Sequence, residues 1–209
     1  MLGKLFSDPA AAVLQVTKGK KKTTSRAMTI LLITSFLVAL AACIASTKLG
    51  VAAVPALMLG SLPAALALIG FVVFLLVLIS GLFFAWLIKI AATTLGGKGK
   101  YLDGLFVISL STFAPAVGLL IASVFFETAA FNLYGIGTAV SVLSIVVTVV
   151  LMFATMYRSA KEIFAMDMIT TYVMVSIIII AVTVIYLLSF AGILSQMGIM
   201  LSPPTGLVG

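Results

Sequence analysis

Residues 51–95 read VAAVPALMLGSLPAALALIGFVVFLLVLISGLFFAWLIKIAATTL, a stretch with a single charge, Lys89. A helix crossing the hydrocarbon core of a bilayer needs about 20 mostly apolar residues, so two spans fit by length. A hairpin inside the membrane also needs turn chemistry. Leu66 to Ser80 offers only Gly70 and the terminal Ser80 for it, whereas Pro55, Gly60 and Pro63 interrupt the front of the stretch. The reading is therefore a bent apolar segment over 51–65, lying in the outer interface or re-entering shallowly, followed by one long span over about 66–95. Outward from this stretch, four more segments qualify as spans, at about 27–46, 104–126, 136–157 and 169–194. Residues 127–135 and 158–167 are polar loops between the last three, residues 1–26 are a separate basic segment, and residues 196–209 form an external tail.

Charge decides between five spans and six. With five, eleven of the twelve basic residues fall on one side and only Lys48 on the other; with six, the split is even. The positive-inside rule selects five, with the N-terminus inside and the C-terminus outside. The expected fold is all-α, a polytopic five-helix transmembrane bundle. Composition agrees: the chain of 209 residues is 64% hydrophobic and 8% charged, with mean hydropathy +1.39, against about 45–50% apolar and 25% charged in soluble domains. The expected location is a cell membrane, crossed several times. A cleaved leader is not expected, because the first apolar run starts near position 27 and is 20 residues long.

Two absences restrict the chemistry. The chain has no histidine and one cysteine, Cys43. Histidine acid–base catalysis, the usual zinc sites, intramolecular disulfides and cysteine clusters are excluded. No carboxylate lies inside any expected span, which argues against a proton pump or cation-coupled carrier. The expectation is a non-enzymatic protein without a cofactor.

The basic segment has its own pattern. Asp8 suits a helix cap and Pro9 the first helical position, so 9–17 reads as a short interfacial helix. Lys18, Lys20, Lys21, Lys22 and Arg26 follow, and Lys98 and Lys100 lie in the next inner loop. Near an anionic leaflet each adds about 1 kcal/mol of attraction. These residues fix topology in the simplest account; in the functional one they dock anionic lipids of the inner leaflet or an acidic protein partner. No aromatic residues interleave with the lysines, so nucleic acid is not an expected partner.

Within the spans, Lys89 reads as a lysine snorkelling to the headgroups, or as an ion pair with Glu162 or Asp167. Ala114, Gly118 and Ala122 form a small-xxx-small ridge that contains Pro115. Ser141, Ser144, Thr148 and Thr155 form a hydroxyl stripe on the next span, and Tyr172, Ser176, Thr183 and Tyr186 another. Such stripes serve helix packing, in the monomer or a homo-oligomer, or line a solute path. Pro115 leaves the Ser111 carbonyl without its helical donor.

The inner loops are the most distinctive segments. Leu95-Gly96-Gly97-Lys98-Gly99-Lys100-Tyr101 lacks the spacing of a phosphate-binding loop and reads as a tight turn ending the second span through glycine. Tyr157 to Asp167 reads as a short amphipathic helix. Together with Asp8-Pro9, the five spans, Pro115 soon after the glycine loop and Tyr157-Arg158-x-x-Lys161-Glu162 before the last span, these features resemble the Yip family of Ypt/Rab-interacting membrane proteins over roughly residues 8–195. In eukaryotes such proteins act in traffic between endoplasmic reticulum and Golgi and bind Rab-type GTPases and one another. With about 26 residues ahead of the first span, the chain is more similar to the membrane domain of prokaryotic relatives, which implies a prokaryotic plasma membrane rather than a eukaryotic endomembrane. The expected function is a membrane scaffold or adaptor; the competing one is a small permease or channel for a neutral or apolar solute.

Overall fold

A computed structural model describes residues 24–48, 53–125 and 134–180. It contains helices α1 (Thr24–Lys48), α2 (Ala53–Leu59), α3 (Leu62–Thr94), α4 (Tyr101–Phe125) and α5 (Tyr134–Phe164), then α6 (Met168–Ile180). No strand occurs among the described residues. Four helices, α1, α3, α4 and α5, are long and apolar enough to cross a membrane. The expected interfacial helix at 9–17, Lys18, Lys20, Lys21, Lys22 and the remainder of the expected fifth span, 181–194, lie outside the described residues.

α1 and α4 run in one direction and α3 and α5 in the other, as their mutual contacts show. Gly81 of α3 meets Leu31 of α1, and Gly70 meets Cys43; Lys48 at the end of α1 reaches Val124 near the end of α4. One end of the bundle, the Gly97 end, therefore gathers Arg26, Gly97, Tyr101 and Phe164. The Lys48 end gathers Lys48, α2 and the start of α5.

α4 is the central element and packs against α1, α3 and α5. In its most apolar stretch 67% of the residues are buried, against 6% in α3, which the other described helices therefore leave largely uncovered. Every residue from Gly104 to Ser111 is buried, the mark of a helix covered on all sides. The core lies at this level: Leu31, Ile88, Phe106, Met156, Phe164 and Met174 bring α1, α3, α4, α5 and α6 into one cluster.

Close approach depends on small residues. A Cβ added at Gly104 would collide with the Ala85 carbonyl, and Gly81, Ala85, Ile88 and Ala92 are the buried positions of the latter half of α3. The buried hydroxyls of this core bond to their own helix: Ser109 Oγ donates to the Leu105 carbonyl at 2.6 Å, Ser35 Oγ to Leu31 at 2.9 Å and Ser159 Oγ to Thr155 at 2.6 Å. Turned back on the backbone, they enter an apolar core without being orphaned. Among the described residues only the Thr34 hydroxyl is buried without a partner.

Two element boundaries differ from the expected ones. α3 begins at Leu62, inside the segment read as interfacial. Ser61 caps it, its hydroxyl accepting from the Ala64 N–H at 3.4 Å, and Pro63 sits in the first turn, where a missing N–H loses nothing. Gly60, at φ +71°, separates α3 from α2, so the described part of that segment, 53–65, divides into a short helix and the first turn of a long one. The second difference is α5, which runs on to Phe164 rather than stopping near Tyr157. Ala160, Ile163 and Phe164 continue the buried stripe of Met156 and no glycine or proline intervenes, so the amphipathic segment expected there forms the last two turns of the long helix α5.

Candidate functional site

The Gly97 end is built by two loops that lock into each other. α3 ends at Thr94 with Leu95 as its C-cap, and Gly96 takes φ +85°. The Gly97 N–H donates to the Ala92 carbonyl at 2.8 Å and the Gly96 N–H to Thr93 at 3.2 Å, the paired bonds of a Schellman motif. The Lys98 N–H then donates to the Phe164 carbonyl at 3.0 Å, tying the loop to the end of α5.

The glycines beyond Gly96 serve contact rather than φ. A Cβ on Gly99 would enter the Phe164 ring, and one on Gly97 would lie 2.9 Å from the Met166 side chain and from the Ala92 carbonyl. Phe164 is fully buried and Met166 nearly so. Between them Ala165 stands at φ +50°, and the Met166 N–H donates to the Lys161 carbonyl at 3.2 Å, so α5 also ends on a left-handed residue. That turn delivers Phe164 and Met166 to Gly99 and Gly97.

Carboxylates fix the helix starts beside the lock. Asp103 accepts from the Lys100 N–H at 2.7 Å, the reach-back half of a capping box at the start of α4. Asp167 accepts from the N–H groups of Ile169 at 3.1 Å and Thr170 at 3.2 Å, capping α6. The Thr170 hydroxyl first, then these N–H groups, hold the Asp167 carboxyl below its ordinary value of 3.8. The Tyr101 hydroxyl donates to the Leu82 carbonyl at 3.2 Å, pinning the start of α4 to α3.

On this frame Lys98, Lys100 and Arg26 are exposed, as is Arg158. Lys89 is half-buried, and among the described residues no ion pair joins it to Glu162 or Asp167.

The ridge and the hydroxyl stripe meet. Ser141 Oγ lies 3.1 Å from the Ala122 carbonyl and 2.9 Å from that of Gly137, and Ser144 Oγ lies 3.4 Å from the Gly118 carbonyl. Any Cβ on Gly118 would strike Thr148, whose hydroxyl donates to the Ser144 carbonyl at 2.7 Å. Ala114 is buried beside them and Pro115, inside α4, is half-buried. A surface cleft of about 350 Å³ follows this seam between α1, α4 and α5, lined by Ala41, Ala42, Ala45, Ala122, Ser141 and Val142. At the Lys48 end, Lys48 Nζ donates to the Val124 carbonyl at 2.6 Å, near the C-terminus of α4, where a cation is favoured.

Phe164, Met166 and Lys48 were not among the expected site residues. The signal for the first two lies in the sequence: two glycines remain after the one that ends α3, and a second loop carries large apolar residues where a solvated turn needs none. No metal-holding group of three His, Cys, Asp or Glu occurs among the described residues. Comparison of the chain with protein-family models, with curated proteins and with solved structures gives no match. Over the described residues the fold and site define an all-helical protein with several helices suited to crossing a membrane.

Proposed function

We propose that the protein is a non-enzymatic integral membrane protein of Yip type, with five spans, its N-terminus inside and its C-terminus outside, in a prokaryotic plasma membrane. In this reading it is a scaffold or adaptor whose inner, Gly97 end docks anionic lipids and recruits a protein partner. The observation that carries the reading is the lock between the two inner loops. Lys98 is held by its own backbone bond to Phe164 and Lys100 by Asp103, so the cationic side chains project from a fixed frame. Preorganised charges lose less entropy on binding than charges on a mobile loop.

The permease reading is weakened by the α4–α5 seam. Hydroxyls placed to line a path are bonded to backbone carbonyls, and Thr148 fills the space that Gly118 leaves. The test is affinity purification from native membranes with mass spectrometry of retained proteins and lipids, for the wild type and for Lys98→Gln with Lys100→Gln. The expected result is retention of an anionic lipid or a partner by the wild type and its loss in the variant. Equal retention by both, together with solute flux in proteoliposomes, overturns the scaffold.

A further inference from the structure

We infer that α2 is a one-leaflet anchor, inserted among the acyl chains of the leaflet at the Lys48 end without crossing it. Its occupant is lipid, not a second protein. The inference rests on the membrane-spanning character of α1 and α3 and not on the adaptor role.

Leu57 is 85% exposed and Met58 83%, and no other large apolar side chain among the described residues is as bare. α2 has seven residues, about 10 Å of helix, a third of a hydrocarbon core of about 30 Å. It cannot lengthen into α3, because Gly60 is left-handed and Ser61 starts a new cap. Nor is there a charge to hold it in water: none occurs between Lys48 and Lys89.

Continuity names the occupant. α2 packs on α3, and its bare side chains run into the exposed belt of Leu62, Leu68, Phe71, Leu76 and Ile79 on α3 with no polar side chain between them except Ser61. That belt belongs to a helix with almost none of its apolar stretch buried. The surface that the bilayer covers on α3 therefore extends over Leu57 and Met58. A water-facing rim would place a polar boundary between the two, as interfaces do.

The chain has one tryptophan, Trp86, which makes depth measurable. In a Trp86→Phe background, Met58→Trp is reconstituted in vesicles of lipids brominated along the acyl chain, and separately titrated with aqueous iodide. Ile79→Trp in the same background serves as the marker for α3. The expected result is several-fold stronger quenching of Met58→Trp by acyl-chain bromine than by iodide, with bromines high on the chain quenching more than those near its end. Iodide quenching of Met58→Trp while Ile79→Trp is shielded puts α2 in water and overturns the inference. Shielding of Met58→Trp from both quenchers puts a protein over α2 and overturns it equally. Iodide quenching of both positions overturns the membrane reading of α3 itself.

Discussion

Gly99 has no room for a methyl group, because the Phe164 ring occupies the place where one would go. Gly99→Ala is expected to destabilise the protein by roughly 1–3 kcal/mol, read as a lower thermal midpoint in detergent. In a double-mutant cycle with Phe164→Ala the two losses should fall short of additivity by more than about 0.5 kcal/mol, as for side chains in contact; strict additivity contradicts the lock. Ala165 gives the opposite sign. Its φ of +50° is a conformation that costs a residue with a Cβ about 1 kcal/mol relative to glycine, so Ala165→Gly should raise the midpoint. Asp167 supplies a pH dependence. Its carboxyl is held below 3.8 in the folded protein by the Thr170 hydroxyl and neighbouring N–H groups, so its contribution is full above the ordinary value and is lost as pH falls through the lowered one. The difference in midpoint between the wild type and Asp167→Asn should therefore be steady near neutrality and change only below about pH 4. A difference that changes between pH 6 and 8 contradicts this assignment.

Helix pairs show what the sequence discloses and what it withholds. The spacing of Ala114, Gly118 and Ala122, and of Ser141, Ser144 and Thr148, marks each stripe as a packing face, but not that the two stripes are each other's partner. That pairing depends on the register of α4 against α5, which no local pattern carries. Gly96 was legible as the end of α3, because one left-handed glycine after a helix is a local event. Gly97 and Gly99 were not, because their reason lies across the bundle at Met166 and Phe164. The start of α3 was misjudged because Pro63 looks like a breaker until Ser61 is seen as a cap two residues ahead of it. The seam yields a test. Gly118→Ala should cost roughly 1–3 kcal/mol by overpacking, and Thr148→Ala in the same chain should restore part of that. The mass of the purified particle should stay the same. An altered oligomeric state at unchanged stability would place the ridge between copies instead.

For the whole molecule, the legible property was an all-helical chain with several helices suited to crossing a membrane, as the described residues show; the proposed five-span topology rests on the twelve basic side chains, of which all but Lys48 sort to one side across five spans but not across six. In a Cys43→Ala background, Lys98→Cys should react with an impermeant maleimide only from the inner side of intact cells or oriented vesicles, and Ala130→Cys only from the outer side. Labelling of both from one side contradicts the alternation. The sequence did not disclose that α4 would be the helix at the centre, since α3 is the more apolar of the two. The difference is in side-chain size: glycine and serine let neighbours close around α4, whereas Phe71, Leu76 and Ile79 hold them off. That placement has a consequence for how the chain is made. In the proposed membrane topology helices enter the bilayer in the order in which they are synthesised, so α4, which ends at Phe125, enters ahead of α5. In the interval before α5 joins it, α1 and α3 can close on Gly104 and its neighbours, while the groove at Gly118 has no Thr148 to fill it. In that proposed order of assembly the innermost helix stays open on one side until the serine-bearing helix arrives to seal it.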